Sequence, residues 1–544
     1  MLFLGAESLF PQSFADPGDR SELAAALVNA MSDEEALAQT FMLGWVGAEP
    51  SPLILDWIRD RHIGGVKIFG WNTGDTIRLA ETVGALQRVA LGGKLKIPLL
   101  VATDQEGGWI RHVKGATSET PGNMAIGASG YPRDAYLSGY YIGRELALLG
   151  INMNFAPTVD IYTNRASTVI GPRSFGNDPV RAGLLGTAFM KGQQAAGVIA
   201  TAKHYPGHGD TDLDSHGVLP RIDASFEVLW DRELVPYRIL AKENIPAIMS
   251  GHLAFPNTQA TSAPASLSSW FLQDILRDHI GFRGLIITDD LMMNGATTWA
   301  GSLSQAAKLA LLSGNDIIML SKTPSLNDPI WTNMVASMQR EPVFRKRVRD
   351  AARRIMAMKL EYLRGETAVP YIPDIRKAEA GLPDPEGSRF FLDLAARSVT
   401  ILKGSAGDLL PLTPEKAGTV LLVGKYPEFI KAGKAAYPGA KGWGDPREIW
   451  IQELLNYARP VDTIIFCLPD DEGLSVLRSL RGLGKRVIVF SVLSPVYLDQ
   501  VPWIDGAIAV YSYAPESFVA GFSAMRGRIP AQGQFPLQAV SAAR

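Results

Sequence analysis

The amino-acid sequence predicts an α/β protein, an N-terminal (β/α)8 barrel of the TIM type followed by a smaller C-terminal open α/β sandwich domain. Three observations support this prediction. Before residue 365, eight short apolar runs alternate with helical segments, the pattern of repeated βα units in a parallel sheet. Polar side chains follow the ends of these runs, where barrels of this kind carry their functional loops. Beyond a proline-rich stretch, four more apolar runs alternate with helical segments.

The eight runs predicted as barrel strands contain four to six residues each, a length typical of buried parallel strands. They are residues 41–46, 65–69, 98–103, 152–157, 198–203, 247–251, 285–288 and 316–320. Capping residues in the sequence indicate where the helices between these strands begin and end. Ser32 and Glu35 form a capping-box pattern at the start of a predicted helix over 32–41, and Gly150 closes one over 133–149.

The C-terminal part begins after a basic helix predicted over 343–363, whose arginines and lysines are expected on a solvated face. Residues 366–387 contain four prolines and no apolar periodicity, which indicates a linker. Strands of the second domain are predicted at 420–423, 463–467, 487–492 and 507–510. The expected domains are therefore residues 1–365, a barrel, and residues 388–544, an α/β sandwich, joined by the linker 366–387.

The composition excludes several classes of protein. The formal net charge is -2, and 47% of the residues are hydrophobic and 20% charged, as in ordinary globular proteins. No nucleic-acid partner is expected from this balance, and no apolar run reaches the length of a membrane span. The single cysteine, Cys467, lies in an apolar run and is expected to be buried and inert. No cofactor is predicted, and the oligomeric state is left open.

The N-terminus resembles a signal peptide only weakly. It contains Ser13-Phe14-Ala15, but it lacks a basic region, and Glu7 interrupts the apolar stretch. We expect a cytoplasmic protein, with export to the periplasm or the medium as the alternative.

The segment with the most polar chemistry is 202–216, which holds three of the seven histidines. Its proline and two glycines prevent a regular helix, so a turn-rich loop after strand five is expected. One hypothesis is that it is only a solvated loop. A second is a metal site formed by His204, His208, Asp210 and His216, although these histidines would not lie on one helical face.

The third hypothesis for this loop is a proton-transfer dyad. Asp214 and His216 are two residues apart, so in an extended segment their side chains point the same way. A carboxylate beside an imidazole favours the protonated ring, which makes a general acid near neutral pH. Asp289, after strand seven, supplies a carboxylate nucleophile at the same barrel rim, although periodicity does not distinguish it from Asp290. Asp104 and Lys203 would hold hydroxyl groups of a sugar.

These segments resemble glycoside hydrolase family 3, in particular its bacterial β-N-acetylglucosaminidase branch. The resemblance covers nearly the whole chain. Its marks are Asp104-Gln105-Glu106-Gly107-Gly108, Gly171-Pro172-Arg173-Ser174-Phe175-Gly176, the loop Lys203 to His216, and Thr288-Asp289-Asp290-Leu291.

The resemblance implies a retaining glycosidase that acts on a terminal β-linked N-acetylglucosamine, as in peptidoglycan fragments or chito-oligosaccharides. It implies Asp289 as nucleophile and His216 with Asp214 as the acid/base dyad. Asp104, Arg173, Lys203 and His204 match residues that bind the sugar in the first subsite.

The sequence departs from the family pattern after Gly108, where relatives carry a second arginine that contacts the sugar. His112 occupies that position here, and Arg111 lies one residue before it, so both are candidate substrate contacts. This departure leaves a β-glucosidase open. Because a histidine acid/base repels an anion less than a carboxylate would, a phosphorylase is another alternative. From other classes we consider a metal-dependent hydrolase and a carbohydrate-binding protein without activity.

Overall fold

A computed structural model describes residues 13–213, 217–404 and 409–537 of this chain. Asp214 and His216, the predicted dyad, lie outside the described residues. Residues 1–12 of the N-terminus, which weakly resembles a signal peptide, also lie outside them. Among the described helices, none combines the length and the apolar composition that crossing a membrane requires.

The N-terminal domain is a closed barrel of eight parallel strands, and each predicted strand is present. The strands are β1 (Phe41–Gly44), β2 (Gly65–Ile68), β3 (Leu100–Thr103), β4 (Met153–Asn154), β5 (Ile199–Tyr205), β6 (Ala247–Ser250), β7 (Leu285–Asp290) and β8 (Ile317–Leu320). Neighbours in sequence are neighbours in the sheet, and pairing of β1 with β8, as in Phe41 opposite Ile318, closes it. The barrel prediction is confirmed.

Helices surround this barrel and follow its strands. The barrel part contains the α-helices Arg20–Ala30, Asp33–Ala38, Pro52–Asp56, Thr76–Leu91, Asn123–Ser129, Pro132–Leu148, Pro179–Ala195, Phe226–Asp231, Val235–Lys242, Asn294–Ala300, Leu303–Ser313, Pro329–Arg340 and Pro342–Tyr362, with π-helical turns at Trp57–Arg61 and Trp270–His279. The capping box forms as predicted, because Ser32 N donates to Glu35 at 2.7 Å and Glu35 N donates to Ser32 Oγ at 3.1 Å. Apolar side chains fill both the barrel interior and the layer between strands and helices.

The C-terminal domain contains one six-stranded sheet with helices on its faces. Its strands are β9 (Thr400–Lys403), β10 (Val420–Val423), β11 (Lys441–Trp443), β12 (Thr463–Leu468), β13 (Arg486–Ser491) and β14 (Gly506–Ala509). The order is β9-β14-β13-β12-β10-β11, and only β9 runs antiparallel to its neighbour. The four predicted strands are present. The two edge strands, β9 and β11, were not predicted from the sequence. The α-helices here are Ile375–Gly381, Pro385–Ser398, Pro414–Ala417, Pro427–Ala436, Ile451–Ala458, Asp471–Ser479 and Pro515–Met525.

The segment predicted as a linker is partly helical. Ile375–Gly381 lies within it, and Pro385 begins a helix that ends at Ser398. This second helix packs against Pro132–Leu148 of the barrel and Pro515–Met525 of the C-terminal domain. At its end, Arg397 Nη2 lies 2.7 Å from Asp134 Oδ1. The helix therefore holds the two domains together, while the domain limits at 365 and 388 stay a prediction.

Candidate active site

A pocket opens at the C-terminal ends of the barrel strands. Strands and the loops that follow them supply its lining, which consists of Phe69, Asp104, Glu106, Ile110, His112, Val169, Arg173, Lys203, His204, His208, Met249, Asp289, Asp290, Met293 and Met319. Six of the nine residues predicted for the site lie there, namely Asp104, His112, Arg173, Lys203, His204 and Asp289. The barrel thus brings together residues that are far apart in the sequence, at the rim where barrel enzymes bind their substrates.

Asp104, which follows β3, is held by two lysines. Lys203 Nζ donates to its Oδ1, and Lys67 Nζ lies 2.7 Å from its Oδ2. His112 Nδ1 lies 3.6 Å from the same oxygen. Burial acts to raise the pKa of Asp104, but the positive charges of Lys203 and Lys67 hold it well below its ordinary value. Asp104 is therefore an anion at any ordinary pH, able to accept hydrogen bonds from ligand hydroxyls.

Glu106 pairs with Arg173 and with Lys203, which it shares with Asp104. Its Oε1 lies 2.6 Å from Lys203 Nζ, and Arg173 donates to both of its oxygens, at 2.8 and 3.0 Å. Burial opposes ionisation of Glu106, yet Arg173 and Lys203 lower its pKa to about 2. Lys203 consequently bridges two carboxylates, and Arg173 is oriented by a two-point contact.

His204 follows Lys203 and is oriented by Asp160, which lies after β4. The His204 Nδ1 atom is 2.7 Å from Asp160 Oδ2, so its Nε2 atom is directed away from that carboxylate, at 3.3 Å from Arg173 Nη2. Asp160 also accepts a hydrogen bond from the backbone N–H of His208 at 2.7 Å. This carboxylate therefore sets the conformation of the loop as well as the orientation of the imidazole.

His208 lies beside His204, with ring centroids 5.7 Å apart. Burial lowers the pKa of His208 to about 4, so the ring is neutral near pH 7. Within the described residues neither of its ring nitrogens has a hydrogen-bond partner. A neutral ring that lines the pocket offers both a donor and an acceptor to a bound ligand.

Asp289 lies at the end of β7, with Asp290 next to it. Asp289 Oδ1 accepts the backbone N–H of Asp290 at 2.8 Å. Burial acts to raise the pKa of Asp289, but His204, His252 and this hydrogen bond bring it below its ordinary value.

The two carboxylates differ in their surroundings. Asp290 Oδ1 accepts backbone N–H groups from Met292 and Ser321, both at 3.0 Å. Burial raises the pKa of Asp290. Asp289 is the more acidic of the pair, whereas Asp290 ties the ends of β7 and β8 together.

Arg111 and His112 are placed differently. Arg111 belongs to a hairpin of Gln105–Gly107 and Ile110–Arg111, and its guanidinium donates to Thr117 O at 2.8 Å and pairs with Glu119 at 3.1 Å. It does not line the pocket. His112 does, and its Nδ1 lies 3.3 Å from Lys67 Nζ. Burial lowers the pKa of His112 to about 4, so it contributes a neutral ring.

The predicted substrate contacts did not include Glu106 and His208, which line the pocket, or Lys67, which pairs with Asp104 from below the pocket surface. Lys67 stands in a four-residue buried strand and its side chain has no exposed surface. A charge inside such a run is a signal in itself, because a buried ammonium requires a partner. The signal does not reveal which carboxylate is that partner. Glu106 lies in the quoted Asp104 motif, but the sequence does not show that it faces the pocket.

Two described members of the proposed metal site, His204 and Asp210, have other partners. His204 is bonded to Asp160, and Asp210 Oδ2 pairs with Arg232 at 2.5 Å while Thr163 donates to its Oδ1 at 3.1 Å. Over residues 13–213, 217–404 and 409–537, no group of three or more His, Cys, Asp or Glu is arranged to hold a metal ion.

The position of the pocket places this protein among the (β/α)8-barrel enzymes, since functional groups of that fold converge at this rim. Comparison with known proteins specifies the class. The profile described as "Glycosyl hydrolase family 3 N terminal domain" matches residues 34–358, and the chain belongs to this family of glycoside hydrolases.

The relatives cover the chain to different extents. A β-N-acetylglucosaminidase/β-glucosidase of Cellulomonas fimi is 30% identical over 551 residues, which are 94% of this chain and 94% of that protein. β-Hexosaminidase A of Pseudoalteromonas piscicida is 40% identical over 261 residues, 45% of this chain, and the match spans 43% of that protein. A solved family 3 β-N-acetylglucosaminidase from Paenibacillus sp. str. FPU-7 superposes with a TM-score of 0.84 at 28% identity, covering 93% of this chain and 99% of that one.

Proposed function

We propose that this protein is a retaining exo-acting β-N-acetylglucosaminidase that removes a terminal β-linked N-acetylglucosamine from chito-oligosaccharides or peptidoglycan fragments. The observation that carries the proposal is the carboxylate of Asp289. It lies in a pocket lined by cations and sugar-binding polar groups, and its pKa is below the ordinary value, as a nucleophile requires. The names of the relatives from Cellulomonas fimi and Paenibacillus, which specify N-acetylglucosaminidase, support the choice of sugar.

The reaction proceeds by two displacements at the anomeric carbon. Asp289 attacks that carbon while His216, the acid of the predicted dyad with Asp214, protonates the departing glycosidic oxygen, which leaves a glycosyl ester on Asp289. Water then attacks the same carbon, His216 takes its proton, and the Asp289 carboxylate is released. Two inversions retain the β configuration.

The remaining pocket residues bind and orient the sugar. Asp104 and Glu106 accept hydrogen bonds from hydroxyl groups of the sugar, Arg173 and Lys203 donate to its oxygens, and His204 presents its Nε2 atom to a hydroxyl group. Because each of these charges is already paired inside the pocket, the polar groups are held in place before the substrate arrives.

A slow fluorinated N-acetylglucosaminyl inactivator tests the proposal directly. We expect intact-mass analysis to show one covalent label per chain and peptide mapping to place it on Asp289. A label on another residue, or no label despite inactivation, contradicts the mechanism. Product analysis in phosphate buffer separates hydrolysis, which releases free sugar, from phosphorolysis, which releases the sugar phosphate. Parallel assays with aryl β-glucoside and aryl N-acetylglucosaminide compare the two sugars.

A further inference from the structure

A second and larger cavity, of about 730 Å³, lies between the barrel and the C-terminal domain. One wall comes from the barrel loops after β3 and β4, including Trp109 and Arg165. The opposite wall comes from the C-terminal domain, including Tyr426, Asp471 and Tyr513. Nothing in the double-displacement reaction uses this cavity.

The cavity adjoins the pocket of Asp289, because the same two chain segments line both. In the hairpin after β3, Ile110 lines the pocket and its neighbour Trp109 lines the cavity. In the loop after β4, Arg173 lines the pocket while Pro172 beside it lines the cavity. The two spaces therefore share walls formed by these two segments.

The cavity is built for ligands with flat apolar faces and polar edges. The rings of Tyr426 and Tyr513 are stacked, with centroids 5.3 Å apart and an angle of 18°. Trp109 is 37% exposed. The Tyr162 hydroxyl lies 3.1 Å from Ser494 Oγ, which joins the two walls. Sugar rings match such a surface, since their C–H faces pack on aromatic rings and their hydroxyls reach polar groups.

The charges of the cavity are unbalanced. Its lining holds two cations, and each is already paired with a carboxylate. Arg165 of the barrel pairs with Asp499 of the C-terminal domain. Lys425 pairs with Asp470 within the C-terminal domain. Two further carboxylates, Asp471 and Glu472, complete the charged lining and are exposed. The described lining is therefore negative overall, which disfavours an anionic ligand.

We propose that this interdomain cavity binds the leaving-group sugars of the substrate, and that its negative charge selects neutral or amino-bearing sugars over sugars that carry a carboxylate. By this inference the C-terminal domain determines the leaving-group specificity of the enzyme. Chito-oligosaccharides are then better substrates than fragments in which N-acetylglucosamine is linked to a sugar with an acidic substituent. The inference rests on the proposed function.

The charge selection is tested with three substrates: an aryl N-acetylglucosaminide, chitotriose, and the disaccharide of N-acetylglucosamine linked to N-acetylmuramic acid. We expect the double variant Asp471→Asn, Glu472→Gln to raise kcat/KM for the acidic disaccharide about fivefold, since two charges near a protein surface contribute about 1 kcal/mol. The values for the aryl glycoside and chitotriose stay within about twofold of wild type. An unchanged ratio between the acidic disaccharide and chitotriose overturns the inference.

The aromatic wall is tested with Tyr513→Ala. We expect a loss of about tenfold in kcat/KM for chitotriose, with little change for N-acetylglucosaminyl fluoride, whose leaving group has no ring, and recovery in Tyr513→Phe, which keeps the stacked ring. Tyr457→Ala is the matched control, because Tyr457 is 49% exposed in the same domain and does not line the cavity. Equal losses on both substrates, or the same loss in the control, overturn the inference.

These outcomes separate the two proposals. If the wild-type enzyme does not cleave the aryl N-acetylglucosaminide, the proposed function fails. If it cleaves that substrate but the variants do not change the ratio between leaving groups, only the inference about the interdomain cavity fails.

Discussion

Two buried clusters of ion pairs lie at opposite ends of the barrel, and they differ in what they enclose. At the C-terminal ends of the strands, Asp104 and Glu106 pair with cations around an open pocket. At the N-terminal ends, Asp316 pairs with Arg277, Arg347 and Arg354, and its side chain has no exposed surface.

The hydrogen-bond partners of Arg277 and Arg347 explain why the cluster at the N-terminal end, within the described residues, encloses no pocket. At the N-terminal end, Arg277 also donates to the backbone oxygen of Gly284 at 2.7 Å, and Arg347 donates to that of Asn315 at 2.5 Å. These contacts join the π-helical turn Trp270–His279 and the last barrel helix, Pro342–Tyr362, to the starts of β7 and β8. At the other end, the charged groups face a cavity and can bind a ligand. The same chemistry thus stabilises the barrel at one end and, by the proposed function, binds substrate at the other.

The largest effect is expected for Asp289→Asn. The amide keeps the size of the side chain but cannot form the glycosyl ester, so kcat with an aryl N-acetylglucosaminide falls by about 10⁴-fold. The melting temperature is expected to fall slightly, because the surroundings of Asp289 lower its pKa and so favour the charged carboxylate in the folded protein. Asp290→Asn is the control, for which we expect a smaller loss of kcat and a melting temperature close to that of wild type, because the amide oxygen can still accept the N–H groups of Met292 and Ser321. Equal losses of kcat in the two variants would contradict the assignment of the nucleophile.

Asp316→Ala is expected to act on stability alone. It leaves three guanidinium groups without their shared carboxylate, and breaking a buried network of this kind costs about 3–5 kcal/mol. Urea unfolding measures the loss, and kcat/KM of the folded enzyme is expected to match wild type. A specific loss of activity with unchanged stability would show that the two clusters are not functionally distinct.

His112→Ala and Arg111→Ala compare two adjacent residues at the pocket end. Of the two residues, only His112 lines the pocket. Its removal is expected to raise KM roughly fivefold, because the loss of one hydrogen bond to the substrate costs about 1 kcal/mol of binding free energy. Arg111 pairs with Glu119 instead, and its variant is expected to change KM by less than about twofold. The reverse order of effects would place Arg111 in contact with the sugar.

The smallest effect is expected for Glu233→Gln, a pH-dependent change in stability. Glu233 packs against Gly207 of the histidine-bearing loop, and burial raises its pKa to about 7 from the ordinary 4.5. A raised carboxyl pKa gives stability that is complete below pH 4.5 and is lost as pH rises through 7. The difference in melting temperature between variant and wild type is therefore expected to increase by a few degrees from pH 5 to pH 8. A constant difference would show that Glu233 does not titrate in this range.

The sequence predicted the barrel and most of the pocket, since strand runs and the polar residues after them are local patterns. It did not predict the edge strands of the second domain. Lys441–Trp443 is largely exposed and lacks apolar alternation, and Thr400–Lys403 is short and only half buried. The predicted linker contained a helix because proline starts helices as well as interrupting them, as Pro385 does here.

The sequence alone determined the fold class, the order of the eight barrel strands and the family. Each of these depends on periodicity and motifs within short segments. Only the tertiary structure decided which charges meet. Lys203 and Asp104 are 99 residues apart, and closure of the barrel brings them into contact. The tertiary structure also decided that His112 rather than Arg111 faces the pocket. Adjacent residues of an extended segment point in opposite directions, so only one of the two can do so. The cavity between the domains likewise exists only because two separately folded sheets are packed together.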